Sequence, residues 1–236
     1  ETLSAQNRGA SLRSPPGTLP TPTFAAQMPA IGKKYPRASL HQWDPLTRDS
    51  ARAGGETLYD FSKAKVIVAL DSDFLYLHPA ALRHTRDFAT GRRVAKPEGA
   101  TMSRFYAAEP TPSITGSNAD HRLAVAAHAI PALAAALAAL VGTGGSGTDV
   151  PPAANDWLWS AAQDLRKHAG AGIVIAGETQ PPAVHAIVVP INASLGNTGV
   201  TVTEHAPVVA DHGDQLASIE ALVALATRSW RIEGRP

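Results

Sequence analysis

The sequence contains no cysteine. That absence closes four kinds of chemistry within the chain: disulfide staples, thiolate nucleophiles, cysteine-ligated zinc and cysteine-held iron–sulfur clusters. An excess of one charge is missing too. Twenty-one basic residues face twenty acidic ones, a formal charge of +1, and no Lys/Arg run makes a footprint for nucleic acid or anionic lipid. Long hydrophobic runs are few. The most apolar stretch, 123–141, is broken by His128 and Pro131 and is mostly alanine, which is the composition of a packed helix and not of a membrane span. The spacings GxSxG, HExxH and His-x-x-x-His are absent, the stretch 177–199 lacks the full GxGxxG, and no internal repeat occurs at a fixed period.

What the chain does contain is a regular alternation of strand and helix patterns. With 236 residues, 44% of them hydrophobic and 17% charged, it is long enough for one large core or two small ones. Residues 1–22 read as an extended N-terminal segment, rich in Pro, Gly, Ser and Thr, with at most a short strand near TLSAQ. Thr23 is placed to cap a helix through about Lys34, and ASLHQW alternates as a strand that Pro45 ends. KAKVIVAL, 63–70, is β-branched and continuously apolar, as expected of a central strand covered on both faces. PAALRHTRDFATG reads as a helix from Pro79 to Gly91, and ATMSRFYAAE as the next strand. NADHRLAVAAHAIPALAAALAALVG reads as one long helix, capped by Asn118 or Asp120 and stopped at Gly142.

Beyond a Gly-rich linker at 143–155, DWLWSAAQDLRKHAG is helical and AGIVIAG is a second buried strand. PPAVHAIVVPINASLG follows as a helix bent or restarted near Pro190, then VTVTE as a strand and QLASIEALVALATRSW as the last helix. The pattern predicts two α/β units, 23–142 and 156–236, which can also form one continuous domain. The expected fold class is α/β, a Rossmann-like three-layer arrangement of a mostly parallel sheet with helices on both faces.

Three stretches could carry chemistry. In KVIVALDSDFLYLHP, Asp71 and Asp73 end the central strand, where ligands sit in doubly wound sheets; if the chain stays extended past Leu70, the two carboxylates share a face and could hold Mg²⁺ with a phosphate. An apolar strand followed by Asp-x-Asp-x-Thr is the pattern of phosphatases of the haloacid dehalogenase class, but Leu75 stands at the Thr position. The plainer reading has one Asp capping the following turn and the other bonding loop amides. ITGSNADHRLAV gathers Thr115, Ser117, Asn118, Asp120, His121 and Arg122, and reads as a cap plus a buried ion pair. In GETQPPAVHAIVVPINASLGNTG, Gly177 follows a strand and would let a backbone approach a nucleotide-like ligand, with Glu178, Asn197 and Gly199 as further candidates. His185 reads as a packed histidine, and the remaining histidines form no local ligand cluster.

Five ordered blocks carry a resemblance: YPRASLHQWDPLTRDSARAG, YDFSKAKVIVALDSDFL, HTRDFATGRR, MSRFYAAEPTPSITGSNADHRLAV and VIAGETQPPAVHAIVVPINASLGNTG. In that order, from about Pro22 to Thr203, they resemble the large iron–sulfur subunit of quinol-oxidising alternative complex III. That subunit has a region similar to molybdopterin oxidoreductases of the dimethyl sulfoxide reductase and formate dehydrogenase type.

The resemblance implies a piece of a larger subunit, since the family's cluster-binding cysteines belong to a ferredoxin-like part that this chain does not contain. It implies a scaffold in a respiratory electron-transfer complex, without catalysis of its own, beside iron–sulfur and cytochrome c subunits. The expected location is the periplasmic face of a bacterial inner membrane, or else the cytoplasm, with no direct membrane insertion and no nucleic acid. No resident cofactor is expected. By analogy with the active enzymes, molybdopterin guanine dinucleotide would meet the loop of Asp71 and Asp73 and the turn of Gly177 and Glu178, with Asn197 and Gly199 beyond. Two alternatives stay open: a pterin-dinucleotide domain of an active molybdenum oxidoreductase, and an Mg²⁺-dependent phosphohydrolase with Asp71 as nucleophile and Asp73 as acid/base. No catalytic or metal-ligating residue is assigned beyond these.

Overall fold

A computed structural model describes residues 13–14, 21–45, 48–52, 55–94, 98, 101–144, 150–206 and 214–232. The chain divides into two compact units, one made of Glu1–Arg52 with Ala206–Pro236, the other of Ala53–His205. The expected strand near TLSAQ and the middle of the Gly-rich linker lie outside the described residues.

The first unit is built from short pieces. Strand β1 (Arg13–Ser14) pairs in parallel with β2 (Ser39–Leu40), and between them runs helix α1 (Pro22–Lys34). The cap of α1 is Thr21, two residues earlier than expected: Pro22 occupies the first helical position, and the Phe24 N–H donates to Thr21 Oγ1 at 3.3 Å. After β2, a loop leads to the one-turn helix α2 (Asp49–Arg52). The C-terminal helix of this unit begins at Gln215, where Asp44 N–H donates to Gln215 Oε1 (2.7 Å), Gln42 N–H to Ser218 Oγ (3.0 Å) and Gln215 N–H to Asp49 Oδ2 (3.1 Å).

The second unit holds a four-stranded, wholly parallel sheet and a separate antiparallel pair. The pair is β3 (Glu56–Tyr59) with β8 (Val202–His205), and the sheet is ordered β6-β5-β4-β7. Its strands are β4 (Val66–Leu70), β5 (Arg104–Glu109), β6 (His121–Ala124) and β7 (Gly172–Ala176). Strands from both sides of the 143–155 segment thus share one sheet, through the register Val66↔Gly172 to Leu70↔Ala176. Every residue of β4 and of β7 is buried, as their continuous apolar runs predict.

Each face of the sheet has its own core. Helices α5 (Ile130–Val141), α6 (Asn155–Lys167) and α7 (Pro182–Ser194) cover one face and pack Leu133, Leu137, Leu158, Leu165, Val184 and Ile191 against Val66, Val68, Leu70 and Val174. Helix α3 (Ala81–Arg92) and the β3/β8 pair cover the other face, with Phe61, Phe74, Phe88 and Phe105 packed against Ile67, Ala69 and Ile175. Phe61 and Phe74 stack at 4.3 Å between ring centroids. Between β5 and β6 lies only the one-turn helix α4 (Ile114–Ser117). Among the described residues, no helix is long and apolar enough to cross a membrane.

The long helix expected from Asn118 or Asp120 begins instead at Ile130; residues 121–124 are strand β6. Asp120 does not cap: its Oδ2 accepts the Phe105 N–H at 2.8 Å, and its carboxylate takes both terminal nitrogens of Arg92. Pairing β6 onto β5 satisfies backbone groups that would otherwise stand open at the sheet edge. The stop at Gly142 is as expected, with φ of 96°. Helix α7 runs through Pro190 without restarting.

Candidate functional site

Helix α3, which follows β4, and α7, which follows β7, lie on opposite faces of the sheet, so the strand order reverses between β4 and β7. A crevice at such a reversal is where open parallel sheets bind ligands. Asp71 and Gly177, the residues directly after these two strands, stand at that point.

Asp71 ends the strand by turning: its φ is 51°, a left-handed value that Asp tolerates better than most side chains. The extended chain that would put Asp71 and Asp73 on one face therefore stops at Leu70. The Asp71 N–H donates to Ala108 C=O at 2.7 Å, and Oδ2 accepts Gln180 Nε2 at 2.7 Å. Asp73 turns to the β5 side, where Oδ1 accepts both the Thr115 N–H (3.1 Å) and its hydroxyl (2.5 Å). The two carboxylates are thus engaged on opposite sides of β4, and Asp73 bonds an amide in the one-turn helix α4, where the plainer reading expects loop amides.

Gly177 donates its N–H to Leu70 C=O at 2.9 Å. A Cβ at this position would sit on the carbonyl oxygen of Asp71, so the glycine is required by the protein's own backbone. Glu178 Oε1 lies 3.2 Å from His78 Nε2. The Ala80 N–H donates to His78 Nδ1 at 3.0 Å, so Nδ1 is the acceptor and Nε2 carries the proton that Glu178 receives. His78 stands 4.4 Å, ring centroid to centroid, from His84. The structure brings together these two histidines, which the sequence leaves as unrelated. His84 Nδ1 donates to Phe74 C=O at 3.4 Å, and burial together with neighbouring His78 lowers its pKa to about 4.

The third strand end contributes Glu109, which is buried. Its carboxylate accepts Arg122 Nε (2.6 Å), Ser113 Oγ (2.6 Å) and the Ser113 N–H (3.2 Å), and fills the space where a side chain at Gly116 would go. The cap of α4 is Ser113, just before the 114–125 stretch, and Arg122 of that stretch pairs with the buried Glu109 outside it. Asp71 feels two effects that favour its neutral form, loss of solvent and then the charge of Glu109; the bond from Gln180 opposes them, and the net shift is upward.

Asn197 and Gly199 are elsewhere. The Gly172 N–H, at the amino end of β7, donates to Asn197 Oδ1 at 3.0 Å, whereas Gly177 follows the carboxyl end. Asn197 braces the start of the strand and does not converge with Asp71, Gly177 and Glu178. Gln180, Glu109 and His78, which were not singled out by sequence, complete the carboxyl-end cluster with Thr115, which was. Glu109, a charged residue ending an apolar strand, is the one with a local signal.

These residues do not fit a pterin dinucleotide. A pyrophosphate needs backbone N–H groups and cations, but the Gly177 N–H bonds Leu70, the space beside it holds the Asp71 carbonyl, and the carboxylates of Asp71 and Glu109 put negative charge there. Among the described residues, no group of three or more His, Asp or Glu converges as a metal site. Comparison with protein-family models and with curated protein sequences finds no match to the chain.

Proposed function

We propose that this chain is a Rossmann-like, molybdopterin-oxidoreductase-like domain that serves as scaffold in a respiratory electron-transfer complex and catalyses no reaction by itself. Its place is the periplasmic face of a bacterial inner membrane, beside iron–sulfur and cytochrome c subunits. The observation that carries the reading is the closure of the β4/β7 crevice by its own groups. Asp71 is held by Gln180, Gly177 is packed on Asp71, and His78 is bonded to Glu178. The five sequence blocks resembling alternative complex III supply the assembly.

Native mass spectrometry of the full chain with Mg²⁺ and molybdopterin guanine dinucleotide tests the reading. The bare polypeptide mass is expected under every condition; a retained dinucleotide mass would overturn the scaffold role. A generic phosphate ester supplied with Mg²⁺ is expected to stay intact, and turnover that disappears in Asp71→Asn would instead establish a phosphohydrolase.

A further inference from the structure

Three large apolar side chains stand in solvent around the connection from β4 to α3: Tyr76 is 65% exposed, Leu77 71% and Leu82 92%. Isolated apolar residues are ordinary on a protein surface, but a group of this size is not. Hydrogen bonds put the three side by side. Tyr76 and Leu77 N–H both donate to Asp73 C=O, forming a tight turn, and Thr85 Oγ1 donates to Leu75 C=O at 3.0 Å, strapping that turn onto α3. Thr85 is three residues after Leu82 and shares its helical face. The turn bearing Tyr76 and Leu77 is therefore fixed beside Leu82.

Positive charge lies beside Leu82 on α3. Helix α3 and its C-cap carry Arg83, Arg86 and Arg93 against Asp87, while Arg92 is paired with Asp120. Arg86 and Arg83, with side chains 76% and 48% exposed, both lean on the one Asp87 carboxylate, at 3.2 and 3.4 Å, and leave it more than neutralised. The linear sequence has no basic run; helical periodicity assembles the basic face.

We infer that this face seats on the headgroup layer of an anionic phospholipid bilayer. Tyr76, Leu77 and Leu82 enter the headgroup boundary, and Arg83 and Arg86 meet lipid phosphates. The choice of a bilayer over a protein follows from shape and charge. Side chains exposed to this degree stand out into solvent, and a fluid interface conforms to such groups, whereas a protein partner must present matching pockets. The seat is shallow and needs no spanning segment. It goes beyond the scaffold reading and stands without it.

Sedimentation of the full chain with vesicles tests the inference, using phosphatidylcholine alone and an equal mixture of phosphatidylcholine and phosphatidylglycerol. The chain is expected to bind the mixed vesicles, to ignore the neutral ones, and to be released by salt. Leu77→Glu combined with Leu82→Glu should lower the partition coefficient roughly tenfold or more, since apolar surface no longer leaves water. Arg83→Gln combined with Arg86→Gln should weaken binding and flatten its salt dependence. Val189→Glu, at an exposed site on α7, should leave binding unchanged. Absence of binding to the mixed vesicles overturns the inference, as does binding that both double variants retain in full. If the wild type ignores vesicles yet self-associates, and Leu82→Glu abolishes that, the face is a protein interface and the bilayer assignment fails.

Discussion

Asn192 and Val174 exchange two hydrogen bonds: the Val174 N–H donates to Asn192 Oδ1 at 3.0 Å, and Asn192 Nδ2 donates to Val174 C=O at 2.8 Å. The side-chain amide stands in for a peptide of a neighbouring strand. β7 is the outer strand of its sheet, and its outward backbone groups are completed by Asn192, by Asn197 Oδ1 on the Gly172 N–H and by the Thr201 hydroxyl on Gly172 C=O. Replacing Asn192 by Leu should leave both Val174 groups buried without partners, at a cost of about 3 kcal/mol. A urea midpoint unchanged from wild type would show that the edge does not depend on this amide.

Gly177→Ala should destabilise by about 2 kcal/mol or more, because the added methyl would meet backbone and the β4 and β7 loops would have to part. Gly116→Ala should do the same by displacing the Glu109 carboxylate from Arg122. Gly91 provides the contrast: it lies in α3 and its Cβ would come no nearer than 3.6 Å to Phe61 C=O, so Gly91→Ala should stabilise by up to about 1 kcal/mol. Thermal or urea unfolding of the three variants checks both signs.

Asp71 and Asp120 should respond to pH in opposite directions. The Asp71 pKa is raised above the ordinary 3.8 by burial and then by Glu109, so the fold binds that proton more tightly than the unfolded chain does. Its contribution is greatest below the ordinary value and is lost as pH rises through the raised one. Asp71→Asn, which keeps an acceptor for Gln180 and tolerates the left-handed backbone, should therefore gain stability over wild type at neutral pH and less in acid. Asp120 is held below 3.8, first by the Arg92 hydrogen bond, so its contribution is present above that value and fades as pH falls through the lowered one. Asp120→Asn should lose stability at neutral pH, with the deficit shrinking in acid. Urea unfolding across pH measures both, and parallel profiles for the two variants would contradict the assignment.

His84 should titrate near 4 in the fold, against 6.5 for an ordinary histidine. Around it stand His78, Arg83 and Asp87, and the aromatic rings of Tyr59, Phe61 and Phe74. The fold favours the neutral ring, so stability from this group is complete above 6.5 and is lost as pH falls toward 4. The ring protons of His84, followed by NMR, should show the low midpoint; a midpoint at or above 6.5 would contradict it.

The central strands were legible because a run such as KVIVAL is dictated by local composition: β-branched apolar residues with no polar interruption suit a strand buried on both faces. GIVIA at 172–176, the amphipathic stretch at 155–167 and the glycine stop at 142 were readable for the same reason, since propensity and caps act between near neighbours. What the sequence could not show is which distant group meets each polar side chain. Asn118 and Asp120 resemble helix caps until Arg92 takes the Asp120 carboxylate. ETLY becomes strand β3 through pairing with residues 202–205. Asp71 and Asp73 would share a face only in an extended chain, but Gln180 and Thr115 draw them apart, and Asn197, grouped with Gly177 along the chain, braces the other end of β7. Local sequence by itself determined the main strands and helices, through periodicity, propensity and turn chemistry. The tertiary structure alone decided strand order and the partners of buried charges, because burying a charge far from water is tolerable only where remote parts of the chain supply its hydrogen bonds.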